Sequence, residues 1–337
     1  MSVHNLCSRS YGDGAGTFFA LHRPVSVRAS VGMLAAIVAV FVPLERVVSD
    51  DRPSAAVTAR GITFPYRDSA IFVLRNEKVT VEVRGSASRF RLLAEPGPGH
   101  VATVNPNRWT WQAPAAPGEY ELKIDGFPGS DQGEITSFVM VSASAVKQGF
   151  LNGYRIDDYP TKPLRGDPIY RPPEGFIEVT DDNEDTRVSP HFRMKQFLSH
   201  QASDFPKYLV LNEGLVVALE LIGRALEPLN LDADDIHVMS GFRTPFYNRA
   251  IGNVEYSLHQ WGRAADIFID KDRNGMMDDL NLDRKIDRTD AQLLYDLLDR
   301  LSKTAEGNLI GGLSVYDRTT THGPFVHVDV RTRKVRW

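Results

Sequence analysis

The stretch "SLHQWGRAADIFID", residues 257–270, brings a histidine, a turn of small residues and an apolar strand together in one short segment. Because successive side chains of a strand point to opposite faces, "GRAADIFI" places Asp266 on the same face as Ala264 and Phe268. A carboxylate in such company needs a partner, since burying an unpaired charge is costly. The sequence leaves two partners open, an arginine in a salt bridge or a metal ion.

A second strand, "FVHVDVR" at residues 325–331, has the same character. Alternation puts Phe325, His327 and Asp329 on one face and three valines on the other. A half-buried strand that carries a histidine and an aspartate on one face is typical of a functional site as well as of a structural ion pair. Taken alone, this strand therefore leaves the choice open.

Taken together, the two segments predict a metal site. A catalytic zinc ion takes three protein ligands from His and Asp or Glu and keeps its fourth position for water. His259, Asp266 and His327 supply two nitrogens and one oxygen of this kind. The single cysteine, Cys7, excludes an internal disulfide and cysteine-ligated zinc.

These residues also carry a resemblance to a known family. The pattern S-x-H-x-x-G-x-A-x-D is matched in full, by Ser257, His259, Gly262, Ala264 and Asp266. With "FVHVDV" after it and "HFRMKQF" and "SGFRTPFYN" before it, the chain resembles the zinc D-alanyl-D-alanine carboxypeptidases and related murein endopeptidases, a superfamily that includes the vancomycin-resistance dipeptidases. The resemblance covers residues 189–337.

The resemblance implies that His259, Asp266 and His327 bind zinc and that zinc-bound water attacks an amide of a peptidoglycan stem peptide. Arg243 of "SGFRTP" would contact the substrate, because its fork of donors suits a carboxylate or a carbonyl oxygen. Ser257 is assigned to substrate binding as well. The family's two activities, D,D-carboxypeptidase and cross-link endopeptidase, both stay open.

One position departs from the family. Many members carry an acidic residue three positions before the last histidine, and this chain has Pro324 there. We expect His322 to replace it as the general base, because histidine titrates near neutral pH; the alternative is a solvent-exposed loop histidine. Asp329 could orient His327. Pro324 also keeps open a catalytically inactive wall-binding or scaffold protein that retains the fold.

An acidic insert, residues 270–290, follows the strand and fits a calcium loop in two registers. The candidate ligands of the first register are Asp270, Asp272, Asn274 and Asp278, with Gly275 at the turn and Asn281 at the last position. Those of the second are Asp279, Asn281, Asp283, Asp287 and Asp290, with Arg284 in place of the usual glycine. The alternatives are a solvated acidic loop and, at the level of function, a calcium-regulated adhesion module.

Upstream of the zinc motif, residues 55–145 alternate with period two between Pro and Gly turns, which predicts an all-β immunoglobulin-like sandwich. Its aromatic residues are predicted to fill the core, and an aromatic sugar-binding platform is the alternative; the residues in question are Trp109, Trp111, Tyr120 and Leu122. Residues 146–188 are rich in Pro, Gly and Tyr, which predicts an ordered extended connector.

The C-terminal part, residues 189–337, alternates helical and strand patterns and is predicted to be an α+β zinc peptidase domain with a small antiparallel sheet. Ser189 and Pro190 suggest the start of one helix. A second helix has a clear apolar face, formed by Leu215, Leu219, Ile222 and Leu226.

Composition and the N-terminus bound the remaining choices. The 337 residues suffice for two domains, and 39 basic against 43 acidic residues give no field that would recruit nucleic acid. The uncharged run "VGMLAAIVAVFVPL", residues 31–44, has basic residues before it and acidic ones after it. Residues 1–50 are therefore predicted to be a cytoplasmic tail and an inner-membrane anchor or signal, with the rest in the periplasm; a buried helix of a soluble protein is the alternative.

Overall fold

The computed structural model describes residues 55–85, 90–94, 99–126 and 132–337, so the tail and anchor predicted at residues 1–50 lie outside the described residues. These ranges form a mixed α/β structure with several small sheets and three α-helices. None of the helices in these ranges has the length and apolar character that crossing a membrane requires.

The N-terminal part consists of strands that form two sheets. They are β1 (Ala55–Ala59), β2 (Ile62–Phe64), β3 (Asp68–Val73), β4 (Lys78–Gly85), β5 (Arg91–Ala94), β6 (His100–Asn105), β7 (Arg108–Gln112), β8 (Gly118–Asp125) and β9 (Gln132–Val139). One sheet has the order β2-β1-β4-β7-β6 and the other β3-β9-β8-β5. Neighbouring strands are antiparallel except β3 and β9, which run parallel.

The two sheets share one apolar core, which explains their alternating sequence. Trp109 and Trp111 are only 4% and 1% exposed, and Leu122 is equally buried. Tyr120 packs at the edge of the same core. The predicted core role of these residues is confirmed, and a sugar-binding platform built from the two tryptophans is wrong because their faces do not reach solvent.

Short strands lie in and on either side of the connecting segment, residues 146–188. They are β10 (Val141–Ser142), β11 (Phe150–Leu151), β12 (Tyr154–Arg155), β13 (Gly175–Val179) and β14 (Lys207–Leu209). β11 and β12 form a hairpin, and the other three form a sheet in the order β10-β13-β14. Tyr159 and Tyr170 contact the ring of Trp261 at 5.6 and 5.3 Å between centroids.

The helix expected to start at Ser189 is wrong. The Ser189 hydroxyl accepts the N–H of Phe192 at 3.3 Å, and Arg187 and Arg193 form an isolated antiparallel bridge. This local turn uses the backbone groups that a helix would need, so only a short 3₁₀ turn, Met194–Phe197, forms in the segment.

Helix α1 (Glu213–Leu226) starts at Asn212, whose side chain accepts the N–H of Gly214 at 3.1 Å. Its predicted apolar face is fully buried in the core of the C-terminal part; the residues are Leu215, Leu219, Ile222 and Leu226. Val217 and Leu221 point the other way and join the core between the two N-terminal sheets. One helix therefore contributes to both cores.

The C-terminal sheet carries the candidate site. In chain order its elements are β15 (Ile236–Ser240), α2 (Pro245–Ala250), β16 (Ala264–Ile269), α3 (Arg288–Leu301), β17 (Gly312–Tyr316), β18 (Phe325–Asp329) and β19 (Val335–Arg336). The sheet order is β15-β16-β18-β17-β19, antiparallel except between β17 and β19. Ala265, Ile267, Val326 and Val328 join α1 and α3 in one core, which leaves the other face of the sheet for polar residues.

Candidate metal centre

Strand register places polar residues in one transverse row across the sheet. Ser240 on β15 lies opposite Asp266 on β16, which lies opposite His327 on β18, which lies opposite Ser314 on β17. Residues that are directly opposite each other share a face of the sheet. The row therefore lies on the face away from α1 and α3.

His259 reaches this row from a 3₁₀ turn, Leu258–Trp261, that precedes β16. The turn ends at Gly262, which has a φ of 60° and accepts the N–H of Asn212 at 3.0 Å. A Cβ at Gly262 would lie 2.1 Å from the carbonyl oxygen of Val210. Glycine is required here for the backbone conformation and for the close approach, and this contact fixes the turn that carries His259.

Three side-chain atoms converge at the centre of the site. His259 Nε2 lies 3.2 Å from both Asp266 Oδ1 and His327 Nδ1, and His327 Nδ1 lies 2.8 Å from Asp266 Oδ1. In a tetrahedral zinc site with bonds of about 2.0–2.2 Å, ligand atoms are about 3.3–3.5 Å apart. The triangle is therefore close to the size that one zinc ion requires.

The outer atoms of both imidazoles are occupied. His259 Nδ1 faces the carbonyl oxygen of Gly241 at 2.6 Å, and His327 Nε2 faces Asp329 Oδ2 at 3.3 Å. A carbonyl and a carboxylate accept hydrogen bonds, so each ring can keep one proton on its outer nitrogen and offer the inner nitrogen to a metal ion. Partners of this kind orient histidine ligands in metal sites.

Asp329 is itself held from several directions. The Nε–H of Arg331 donates to its Oδ1 and Oδ2 at 2.8 and 2.9 Å, and the N–H of Gly312 donates to Oδ1 at 3.0 Å. A Cβ at Gly312 would lie 2.2 Å from Asp329 Oδ2. Sequence reasoning missed both supports: strand alternation could have found Arg331, but nothing in the sequence marks Gly312.

Arg243, predicted to contact substrate, is buried and paired with the cluster. Its Nε–H donates to Ser240 Oγ at 2.9 Å, and a terminal guanidinium nitrogen donates to Asp266 Oδ2. The sequence left an arginine and a metal open as partners of Asp266. The structure gives one carboxylate oxygen to Arg243 and turns the other to His259 and His327.

The electrostatics follow from burial and pairing. Burial lowers the pKa of His259, despite the nearby Asp266. Burial alone would raise the pKa of Asp266 and lower that of His327, but the histidines hold the pKa of Asp266 well below its usual range. Hydrogen bonds to Asp266 and Asp329 likewise raise the pKa of His327 to about 9. Without a metal ion, the cluster therefore retains a proton on His327 at neutral pH.

The other two predicted residues, His322 and Ser257, have their hydrogen bonds to neighbouring backbone groups. His322 is half-buried, its Nδ1 lies 2.8 Å from the carbonyl oxygen of Gly323, and its ring meets Phe325 edge-on at 5.0 Å. Ser257 is buried and precedes the 3₁₀ turn, and its carbonyl accepts the N–H of Gln260 at 3.0 Å.

In the acidic insert, the first register brings its carboxylates together. Asp270, Asp272 and Asp278 each offer an oxygen within 4.8 Å of the others. Asp270 is 5% exposed, and its two oxygens accept the N–H groups of Asn274 and Gly275 at 2.9 and 3.0 Å. The Asn274 side-chain oxygen accepts the next N–H along the loop. These residues belong to the first of the two registers.

The second register repeats the same loop hydrogen bonds: Asp279 accepts the N–H groups of Asp283 and Arg284, and Asn281 accepts that of Asp283. Arg284 has a φ of 69°, the left-handed conformation that glycine normally supplies. Asp287 caps α3, and Asp290 accepts backbone N–H groups from the loop before it. Within the described ranges the carboxylates of this register form no group of three at the spacing of the first.

Comparison with known proteins covers part of this region. The Peptidase M15 family model matches residues 198–285. The matched segment contains Arg243, His259 and Asp266 and ends before His327, and it supports a metallopeptidase of the M15 zinc peptidase family. No curated protein matches the chain.

Among solved structures, domains 4 and 5 of the S-layer protein SbsC match at 13% identity. The match covers 22% of this chain and 48% of that chain, with a TM-score of 0.18. This chain thus spans less than half of the length of that chain, and the similarity supports no conclusion about fold or function.

Proposed function

We propose that the protein is a zinc-dependent hydrolase of peptidoglycan stem peptides, acting as a D,D-carboxypeptidase or as a cross-link endopeptidase. The observation that carries the proposal is the triangle of His259 Nε2, Asp266 Oδ1 and His327 Nδ1, with edges of 2.8–3.2 Å. The Peptidase M15 match to residues 198–285 supports the reaction class.

Each residue of the site has a proposed role. When bound, a zinc ion lowers the pKa of its water to about 7 and polarises the scissile carbonyl. His259, Asp266 and His327 would hold the ion, and Arg243 fixes the second oxygen of Asp266 by an ion pair. Arg243 and Ser257 are proposed to border the substrate, because both lie in segments that adjoin the His259 turn.

His322 is the proposed general base. Its ring contacts Phe325, which shares a strand face with His327, so His322 lies on the side of the sheet that carries the cluster. A base in this position would take a proton from the attacking water and return it to the leaving amine. His322→Ala should keep zinc and lose turnover. Unchanged turnover would remove His322 from the mechanism.

The test of the whole proposal is zinc content and digestion of purified muropeptides for the wild type, His327→Ala and His100→Ala. His100 is an exposed histidine on β6 of the N-terminal sheets and serves as the matched control. We expect about one zinc per chain and peptide release in the wild type and the control, and loss of both in His327→Ala. A wild type without zinc and without release would sink the proposal.

A catalytically inactive wall-binding or scaffold protein is the second candidate, and Pro324 favours it because the usual acidic residue is missing. This candidate predicts zinc binding and retention on isolated cell walls without peptide release. The digestion experiment therefore separates the two candidates directly.

Three further assignments complete the proposal. We propose that the loop of Asp270, Asp272 and Asp278 binds calcium and stiffens the insert beside the zinc site. Residues 31–44 would anchor the chain to the inner membrane. Residues 55–145, 146–188 and 189–337 would form the sandwich, the connector and the peptidase domain in the periplasm.

The strand order supports the immunoglobulin-like sandwich. The order β1-β4-β7-β6 in one sheet and β9-β8-β5 in the other follows the A-B-E-D and G-F-C arrangement of that fold.

A further inference from the structure

Three aromatic rings, which we call the aromatic shelf, lie beside the metal cluster: Tyr316, Phe325 and Trp337. Tyr316 on β17 lies opposite Phe325 on β18, and their rings stack at 4.8 Å and 12°. This pair is adjacent to the opposed pair of Ser314 and His327 on the same face of the sheet. The shelf therefore extends the site along the sheet.

Trp337 joins the shelf to the cluster. Its ring lies 5.3 Å from the His327 ring, and its Nε1–H donates to the Tyr316 hydroxyl at 3.1 Å. Its backbone carbonyl accepts the Ser314 hydroxyl at 2.6 Å, which fixes the residue beside β17. A substrate whose scissile amide lies at the cluster can therefore reach the Trp337 ring without leaving this face.

Two of the three shelf residues, Trp337 and Tyr316, are partly exposed to solvent, whereas Phe325 is buried. Trp337 is 51% exposed and Tyr316 is 38% exposed, which is unusual for large aromatic side chains packed in a sheet. Their polar atoms are bonded to each other, so the exposed surface is mainly apolar. The charged groups that contact the Trp337 ring, Arg331 at 5.0 Å and His327 at 5.3 Å, are both held by Asp329. A ligand for this surface is therefore uncharged, with a flat apolar face.

We propose that the aromatic shelf binds a sugar ring of the substrate, which makes the protein selective for stem peptides that are still linked to glycan. A pyranose ring has the required chemistry, since its C–H face is apolar and its hydroxyl groups remain in water. This inference rests on the proposed function, because it takes the stem peptide as the part that lies at the metal cluster. Trp337 and Tyr316 are then specificity residues of the site.

The first measurement is the ratio of kcat/KM for a stem peptide carrying its disaccharide to that for the same peptide without it. In the wild type we expect a preference of about two- to tenfold for the sugar-linked peptide, if a stacked sugar ring contributes about as much as a stacked aromatic ring. Trp337→Ala and Tyr316→Ala should bring the ratio towards one, whereas Trp337→Phe should keep most of it. Phe150→Ala is the control, because Phe150 is an aromatic residue 44% exposed on β11 and should leave the ratio unchanged.

A positioning role for Trp337 towards His327 would lower kcat/KM for both peptides equally and leave the ratio intact, and that result overturns the inference. A wild type that shows no preference overturns it as well. Metal content is measured for every variant, so that loss of zinc is not mistaken for loss of sugar binding.

The second measurement is calorimetric binding of peptide-free glycan oligomers to the zinc-loaded full chain, which needs no hydrolysis. Glycan binding that the wild type shows and Trp337→Ala lacks supports the inference, even if the wild type cuts neither peptide. In that case the proposed hydrolase activity is contradicted and the sugar-binding role of the shelf stands. Absence of glycan binding by the wild type overturns the inference even if both peptides are cut.

Discussion

The candidate zinc cluster of His259, Asp266 and His327 and the acidic loop of Asp270, Asp272 and Asp278 are joined by β16, yet they are built in opposite ways. In the cluster, buried side chains distant in sequence converge, and their inner atoms lie 2.8–3.2 Å apart. In the acidic loop, near neighbours in sequence converge around a turn, and the carboxylates of Asp270 and Asp272 accept backbone N–H groups. The zinc cluster depends on the tertiary fold, whereas the loop depends on its own turn.

In a candidate metal site, the hydrogen-bond partners of the outer ligand atoms are as informative as the distances between the inner ligand atoms. His259, Asp266 and His327 each have one atom tied to a protein partner and one turned to the centre. In the acidic loop, by contrast, both oxygens of Asp270 and of Asp272 accept hydrogen bonds from the loop itself.

The largest expected difference is in the stability of the metal-free protein, between the variants Asp266→Asn and Asp272→Asn. Removing the Asp266 charge leaves Arg243 buried without its ion pair, which should lower the free energy of unfolding by about 3–5 kcal/mol and prevent zinc binding. Asp272 is exposed, so its replacement should change stability by less than about 0.5 kcal/mol. Urea unfolding in a chelator measures both, and equal effects would remove the distinction between the two sites.

The second contrast is the pH dependence of metal binding. Zinc must displace the proton of His327, whose pKa is raised to about 9, so zinc affinity is lost as the pH falls below that value. Between pH 8 and pH 6 the loss should be about tenfold per pH unit. The loop binds through oxygen atoms alone, so its calcium affinity should change little over this range. Competition titration against a zinc chelator of known pH dependence provides the check, and a flat zinc profile would contradict the assignment.

A third experiment tests the support behind His327. Arg331→Ala should weaken zinc binding by about tenfold or more, because Asp329 loses the group that fixes both of its oxygens. Arg331→Lys should fall in between, since lysine keeps the charge but not the fork. The control is Arg333→Ala at an exposed position. An Arg331→Ala variant with wild-type zinc affinity would show that the support is dispensable.

The smallest effect is expected from calcium. Added to zinc-loaded protein at ten times its Kd, calcium should raise the free energy of unfolding by about 1.4 kcal/mol. Asp270→Asn should abolish the increase, because Asp270 is the buried carboxylate of the loop. Thermal melting with magnesium as the control ion measures the effect. No shift at millimolar calcium would count against the calcium assignment.

The sequence indicates much of this architecture. Alternation located the strands of the C-terminal sheet and put Asp266 and His327 on polar faces, and the apolar spacing located α1. The helix predicted from Ser189 fails because a capping pattern cannot reveal that the Ser189 hydroxyl closes a tighter turn. Local sequence patterns predict periodic elements but do not predict the turns that compete with them.

The residues of the candidate site also fall into those that the sequence predicts and those that it does not. The spacing of the motif and of the last strand selected His259, Asp266 and His327, which the fold brings together. The pairing of Arg243 with Asp266 and the space at Gly312 depend on packing across several strands, so no short pattern encodes them. His322 was chosen by its distance along the chain, and its orientation depends on a loop without periodicity.

Helix α1 has a consequence for how the protein can be divided. Val217 and Leu221 lie in the core between the N-terminal sheets, and the carboxylate of Glu213 accepts the N–H of Phe72 on β3 at 3.1 Å. A fragment cut to residues 189–337 would expose this apolar surface and leave a buried-type carboxylate without its donor. Removing the N-terminal sheets therefore removes part of the packing of α1, the helix whose capping residue Asn212 donates its N–H to Gly262 at the end of the His259 turn.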